Sequence, residues 1–131
     1  MARIFRLNGQ LAAAGDALSR PAGQTSARWQ VLAMLENGPV TVADTARTLG
    51  LARQSVQRVA DLLETDGLIR YVDNPRHRRA RLAELTGEGQ STLAAIQAAQ
   101  RPWADAIGGR VGEREIRRAT ETLDRLIAAL G

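Results

Sequence analysis

The 131 residues contain no cysteine, which excludes a disulfide framework, a thiolate metal site and thiol redox sensing. Lysine is missing as well: all 18 basic residues are arginine, so the isoelectric point of about 11.1 overstates a net charge of only +4. There is one histidine, His77, and no carboxylate pair is placed by any motif. Little is left for acid–base, nucleophilic or metal chemistry, so neither an enzyme nor a bound metal or cofactor is expected. Gly87 and Gly89 in TGEGQS lack the Lys-Ser/Thr of a phosphate loop and instead read as the opening of a helix. No apolar run reaches membrane-spanning length, and Arg6, Asn8 and Gln10 interrupt the N-terminal one, so a cytoplasmic protein is the expectation. Aromatic residues make up only 3% of the chain.

What the chain does hold, 44% hydrophobic and 24% charged residues, is the profile of one soluble domain over 1–131 with a modest core. Its charge is unevenly placed. Residues 1–40 carry four arginines against two acids, and residues 87–131 carry six against six. Between Arg70 and Arg81, however, five arginines face Asp73 alone, and Arg76, Arg78, Arg79 and Arg81 crowd around His77. Positive charge is concentrated in that arm.

Periodicity organises the rest. Leu7, Leu11, Ala14 and Leu18 fall at helical spacing before Pro21 and Gly23 stop the segment. Thr25 is placed to cap a second helix, with Val31, Leu32 and Leu35 on one face and Asn37, Gly38 and Pro39 after it. In PVTVADTARTLG, Thr41 and Asp44 have capping-box spacing, in which hydroxyl and carboxylate satisfy free N–H groups of the first turn. Val42, Ala46 and Leu49 form the buried stripe of this short helix, and Gly50 ends it. Then ARQSVQRVADLLETDG restarts the period with Val56, Val59, Ala60 and Leu63 inward and stops at Gly67. A short helix, a glycine turn and a second helix make a helix-turn-helix. LIRYV and RARLAEL follow as two short strands around the basic tip, which is a wing. Two helices close the chain, roughly Gly87 to Ile107 with a kink at Pro102, and Glu113 to Leu130. Gly108, Gly109 and Gly112 form the expected joint between them.

The second motif helix throws Gln54, Gln57, Arg58 and Asp61 outward, with Arg53 and Ser55 at its start. Arginine pairs with both guanine acceptors, glutamine with the adenine edge, and serine with base edges or phosphate. Taken alone, such residues are equally at home on any helix surface. Their position after a helix and glycine turn, and before a basic ribbon, is what points to nucleic acid.

From TSARWQVLAML through VTVADTARTLGLARQSVQRVADLLETDGLIRYV to RHRRARLAELTGEG, the chain resembles the MarR family of winged-helix transcription factors. The resemblance implies a mainly α fold with a small antiparallel β-wing: a winged helix-turn-helix core over about 25–86, flanked by dimerisation helices in 1–24 and 87–131. Counting back from Leu85 and Thr86, Arg79 falls at the family's wing arginine, and His77 stands where an aspartate is usual. Protonated, His77 would repel Arg79, so wing order is expected to depend on pH in histidine's range.

By this reading Arg79 enters the narrow minor groove, Arg76, Arg78 and Arg81 contact the backbone, His77 belongs to the same DNA-binding tip, and Arg58 is the leading base reader. A solvated hairpin tip is the plainer alternative for the arm. Leu7, Leu11, Leu18, Ile116, Leu123, Ile127 and Leu130 are the expected homodimer contacts, the competing role for each being intrachain core. A two-fold dimer expects a pseudo-palindromic double-stranded site with half-sites about one turn apart, ~34 Å. The family further implies a repressor released by a small aromatic or phenolic effector, for which Arg28, Trp29 and Trp103 are candidates, although indoles at such positions more often serve the core. The other function class is a winged-helix module that turns its basic wing to an acidic protein or RNA.

Overall fold

The computed structural model describes residues 1–131 as six helices and a three-stranded antiparallel sheet. Helix α1 spans Ala2–Ser19 and passes through a short 3₁₀ turn, Arg20–Ala22, to Gly23, whose left-handed backbone (φ 75°) reverses the chain. In α2, Ser26–Met34, the Thr25 hydroxyl accepts from the Arg28 N–H, the expected cap. Strand β1 is only Val40–Thr41, and α3 follows as Val42–Leu49. The recognition-type helix α4 is Arg53–Thr65, separated from α3 by Gly50, Leu51 and Ala52. Strands β2 (Ile69–Val72) and β3 (Leu82–Leu85) flank the wing loop, and α5 (Gly87–Val111) and α6 (Glu113–Leu130) complete the chain.

Several sequence expectations need correction. The sheet has a third strand: β1 pairs with β3 on the edge opposite β2, giving the order β1-β3-β2. Two residues leading straight into a capped helix carry no alternation for a sequence reading to detect. Only half of the capping box forms. Thr41 Oγ1 accepts from the Asp44 N–H at 3.1 Å, whereas the Asp44 carboxylate is drawn 2.7 Å from Arg47. Thr45 is buried on α3 beside Val42 and Ala46, while Leu49 is only half-buried. Helix α5 runs through Pro102, Gly108 and Gly109 to Val111, and the break falls at Gly112 alone, where φ is 102°. Proline removes one ladder donor but keeps a helical φ, and glycines with ordinary negative φ do not interrupt a helix that neighbouring turns continue.

The core of the winged helix is drawn from every element of this region. Val31 and Leu32 of α2 and its C-cap Leu35 pack with Val42 and Ala46 of α3, with Val56, Ala60 and Leu63 of α4, and with Leu68, Ile69, Ala83, Leu85 and Leu93. The start of α5 is tied to this core by LTGEG. Thr86 Oγ1 donates to the Gly67 carbonyl at 2.6 Å and accepts from the Gly89 N–H at 3.1 Å, while the Thr86 N–H donates to the Leu68 carbonyl.

The packing divides the chain into two compact units, 1–97 and 98–131. Within the first unit, Leu7 and Leu11 are about half exposed and Leu18 is partly buried; Ile4 and Phe5, which the periodic reading leaves out, are open as well. Within the second, α6 buries no residue, and Ile116, Leu123, Leu126, Ile127 and Leu130 are exposed along it. No helix is long and apolar enough to cross a membrane.

Candidate nucleic-acid interface

Helix α4 exposes Arg53, Gln54, Ser55 and Arg58, while Val56, Ala60 and Leu63 face inward. An i, i+3, i+4 apolar stripe fixes which side of a helix meets the core, and the opposite side is thereby fixed as polar. Its N-cap, Ala52, offers no side-chain acceptor, and the Ser55 N–H is taken by the Ala52 carbonyl, so the N–H groups of Arg53 and Gln54 stay available to an external anion.

The wing tip is a built turn. Asn74 Nδ2 donates to the Ala80 carbonyl at 2.9 Å, and Asn74 Oδ1 accepts from the Arg76 N–H at 3.0 Å. Two further main-chain bonds, His77 N–H to the Asn74 carbonyl and Ala80 N–H to the His77 carbonyl, close the loop. An asparagine that bonds backbone two residues on is a standard way of holding a turn. Arg76, His77, Arg78 and Arg79 project from it, all exposed.

Ion pairs separate the free arginines from the neutralised ones. Arg70 lies directly across the β2–β3 ladder from Glu84, and the two side chains meet at 2.6 Å, which removes one of the five cations counted in the arm. Arg47 is held by Asp44 and Arg28 by Asp66, the C-cap of α4, at 2.7 Å. None of Arg53, Arg58, Arg76, Arg78, Arg79 and Arg81 is in a salt bridge. Their charge is uncompensated by neighbouring carboxylates.

Four of the expected contact residues border one cleft of about 270 Å³ between α4 and the base of the wing: Arg53, Gln57, Arg79 and Arg81. Within it, Gln57 Nε2 donates to Asp61 Oδ1 at 2.9 Å and to the Tyr71 hydroxyl at 3.0 Å, and that hydroxyl donates to Asp61 Oδ1 at 2.8 Å. The Arg81 guanidinium stacks 4.8 Å from the Tyr71 ring centroid. With both amide hydrogens engaged, Gln57 presents only an acceptor, and a bidentate adenine contact requires donor and acceptor together. Arg81 is likewise occupied by a ring face. Gln54, Ser55 and Arg58 remain unencumbered on the exposed face.

Tyr71 and Asn74 are the site residues that sequence reasoning missed. Tyr71 is the only tyrosine, on the strand facing α4, and its bonds close over ten and fourteen residues. Burial, then the hydrogen bond to Asp61, then the charges of Asp61 and Glu64 push its phenol well above the usual tyrosine range. Of the effector candidates, Arg28 is engaged by Asp66, Trp29 is half-buried against the core of the first unit, and Trp103 is partly buried in the second.

Comparison with known proteins follows the same geometry. The family model described as MarR family matches residues 22–80, the helix-turn-helix and most of the wing. An uncharacterised protein of Mycobacterium tuberculosis is 35% identical over 130 residues, covering 99% of this chain and 91% of its own.

The chain belongs to the MarR family.

Among further relatives, the transcriptional activatory protein BadR of Rhodopseudomonas palustris is 29% identical over 133 residues, covering 98% of this chain and 74% of BadR. The transcriptional regulator MosR of M. tuberculosis, solved in complex with DNA, is similar with a TM-score of 0.80 at 25% identity, over 98% of this chain and 96% of MosR. This MarR-family chain is therefore a winged-helix transcription regulator, not an enzyme, and BadR and MosR are likewise regulators.

Proposed function

We propose that the protein is a homodimeric, sequence-specific binder of double-stranded DNA. In this reading α4 lies in the major groove, with Arg58 as the principal base reader and Gln54 and Ser55 beside it. The wing lies along the adjacent minor groove, with Arg79 inserted and Arg76 and Arg78 on phosphates. The observation that carries the reading is the set of arginines on α4 and the wing that no carboxylate neutralises, three of them, Arg53, Arg79 and Arg81, bordering one cleft. A face of that kind attracts a polyanion through counterion release, and arginine in a narrow groove is favoured by its enhanced negative potential.

The exposed apolar residues of α1 and of α6 support the dimer. Leu7 and Leu11 on one helix, and Ile116, Leu123, Ile127 and Leu130 on the other, are open to solvent in a single chain. Apolar stripes of this length are costly to leave in water, and a two-fold partner covers both copies at once. Regulation follows from linkage. A dimer seated on its operator blocks the promoter, and a small aromatic or phenolic effector that favours the unbound conformation releases it. A promoter–reporter assay reads the sign of regulation, which for BadR is activation by name.

The test is Arg58→Ala. Base readout predicts a loss of ~1–3 kcal/mol on the preferred duplex and little change on random duplex. Equal loss on both would make Arg58 a phosphate contact, and no loss on either would turn the reading towards a wing that grips an acidic protein or RNA.

A further inference from the structure

Within the cleft, three side chains from two elements make a closed triangle. Gln57 and Asp61 stand one turn apart on α4, and Tyr71 reaches them from the middle of β2. The phenol hydroxyl is used twice, donating to Asp61 and accepting from Gln57, while Arg81 at the base of the wing covers the ring. The two bonds to the Tyr71 hydroxyl are the side-chain hydrogen bonds that link α4 to the wing strands. Through Arg81 and the β2–β3 ladder they reach the turn that carries Arg79, which lines the same cleft.

We infer that Tyr71 is a positioning residue: its hydroxyl, bonded to Asp61 and Gln57, sets the wing at a fixed distance and angle from the recognition helix, so that Arg79 and Arg58 engage adjacent grooves together. In a wing where His77 replaces the family's usual acid, this brace works from the base of the ribbon. It also ties down Asp61, a carboxylate on the DNA-facing side of α4, beneath a donor. The inference rests on the wing being a DNA contact, as proposed above.

The experiment is a double-mutant cycle on the full chain: wild type, Tyr71→Phe, Arg79→Ala and the pair. Affinity is measured for the preferred duplex at one salt concentration, alongside the thermal midpoint and hydrogen exchange at the His77 and Ala80 amides. Tyr71→Phe is expected to keep the fold, to weaken binding about three- to tenfold, within the range of coupling in one hydrogen-bond network, and to speed exchange at both wing amides. The pair should bind no more weakly than Arg79→Ala alone. Independent, multiplicative losses would overturn the positioning role, as would a Tyr71→Phe protein with wild-type affinity and wing exchange. Asp61→Asn, which keeps an acceptor for the phenol, should retain slow wing exchange where Asp61→Ala does not; equal exchange in both would also count against the brace. If Arg79→Ala binds as well as wild type, the DNA-contacting wing itself is wrong, and the positioning role falls with it.

Discussion

Adding one methyl group at Gly89 tests how the winged-helix core is joined to α5. A Cβ built there would fall onto the Leu68 carbonyl oxygen, with the carbonyl carbon 3.0 Å away and the Leu68 Cα at 3.4 Å. The obstacle is backbone, and the same carbonyl accepts the Thr86 N–H, so it cannot swing aside without breaking a bond of the joint. Gly87, two residues earlier on the same helix, has nothing within 4 Å of the equivalent position. Neither glycine has positive φ, so the pair differs in packing and not in backbone strain. Overpacking of this kind costs about 1–3 kcal/mol, and occasionally more. The gain in helix propensity from glycine to alanine returns at most about 1 kcal/mol, and less in a first turn. Gly89→Ala should therefore lose about 2 kcal/mol net, a drop in thermal midpoint of roughly 5–10 °C for a chain of this size, whereas Gly87→Ala should be neutral or slightly stabilising. Thermal and urea denaturation of the two variants side by side decide the matter. Equal midpoints would refute the claim that close backbone approach, and not merely helix initiation, demands glycine in LTGEG.

Thr41→Ala and Thr25→Ala each remove a hydroxyl that accepts a first-turn N–H, and each should cost about 1 kcal/mol in urea denaturation. Tyr71 titration gives a pH signature. Its folded-state pKa is raised, so its contribution to stability is complete below the unfolded value, about pH 10, and is lost as pH rises further. Urea midpoints should thus fall more steeply above pH 10 for wild type than for Tyr71→Phe, and tyrosinate absorbance, with only one tyrosine in the chain, should appear on unfolding. Leu123→Glu on the exposed face of α6 should leave the melting of a single chain nearly unchanged but yield a monomer in sedimentation, with weakened binding to a two-half-site duplex. A dimer that persists would place the contact elsewhere.

How much of this was legible in the sequence depends on the range of each interaction. The caps at Thr25 and Thr41, the glycine stop at Gly50 and the inward stripe of α4 act within one or two turns, and composition and spacing revealed them. The strands flanking the wing were readable as apolar runs, but β1 was not, since its two residues are defined only by β3. Where two partners compete locally, the sequence misled: Asp44 chose Arg47 over the capping box, and Gly108 and Gly109 stayed helical. Long-range partners were invisible. Arg70 counted as free charge until Glu84 appeared across the ladder, and nothing in the spacing showed that Tyr71 and Asp61 take both amide hydrogens of Gln57. The DNA sequence that Arg58 prefers lies further out still, because it depends on how a docked helix meets base edges.

A dimer that reads a specific duplex should select its own site from a random DNA pool, with the purified protein at near-physiological salt, where a merely basic surface is screened. The expected result is an inverted repeat with half-sites about one helical turn apart, ~10 bp centre to centre. An unenriched pool, bound only in a salt-sensitive manner, would contradict it.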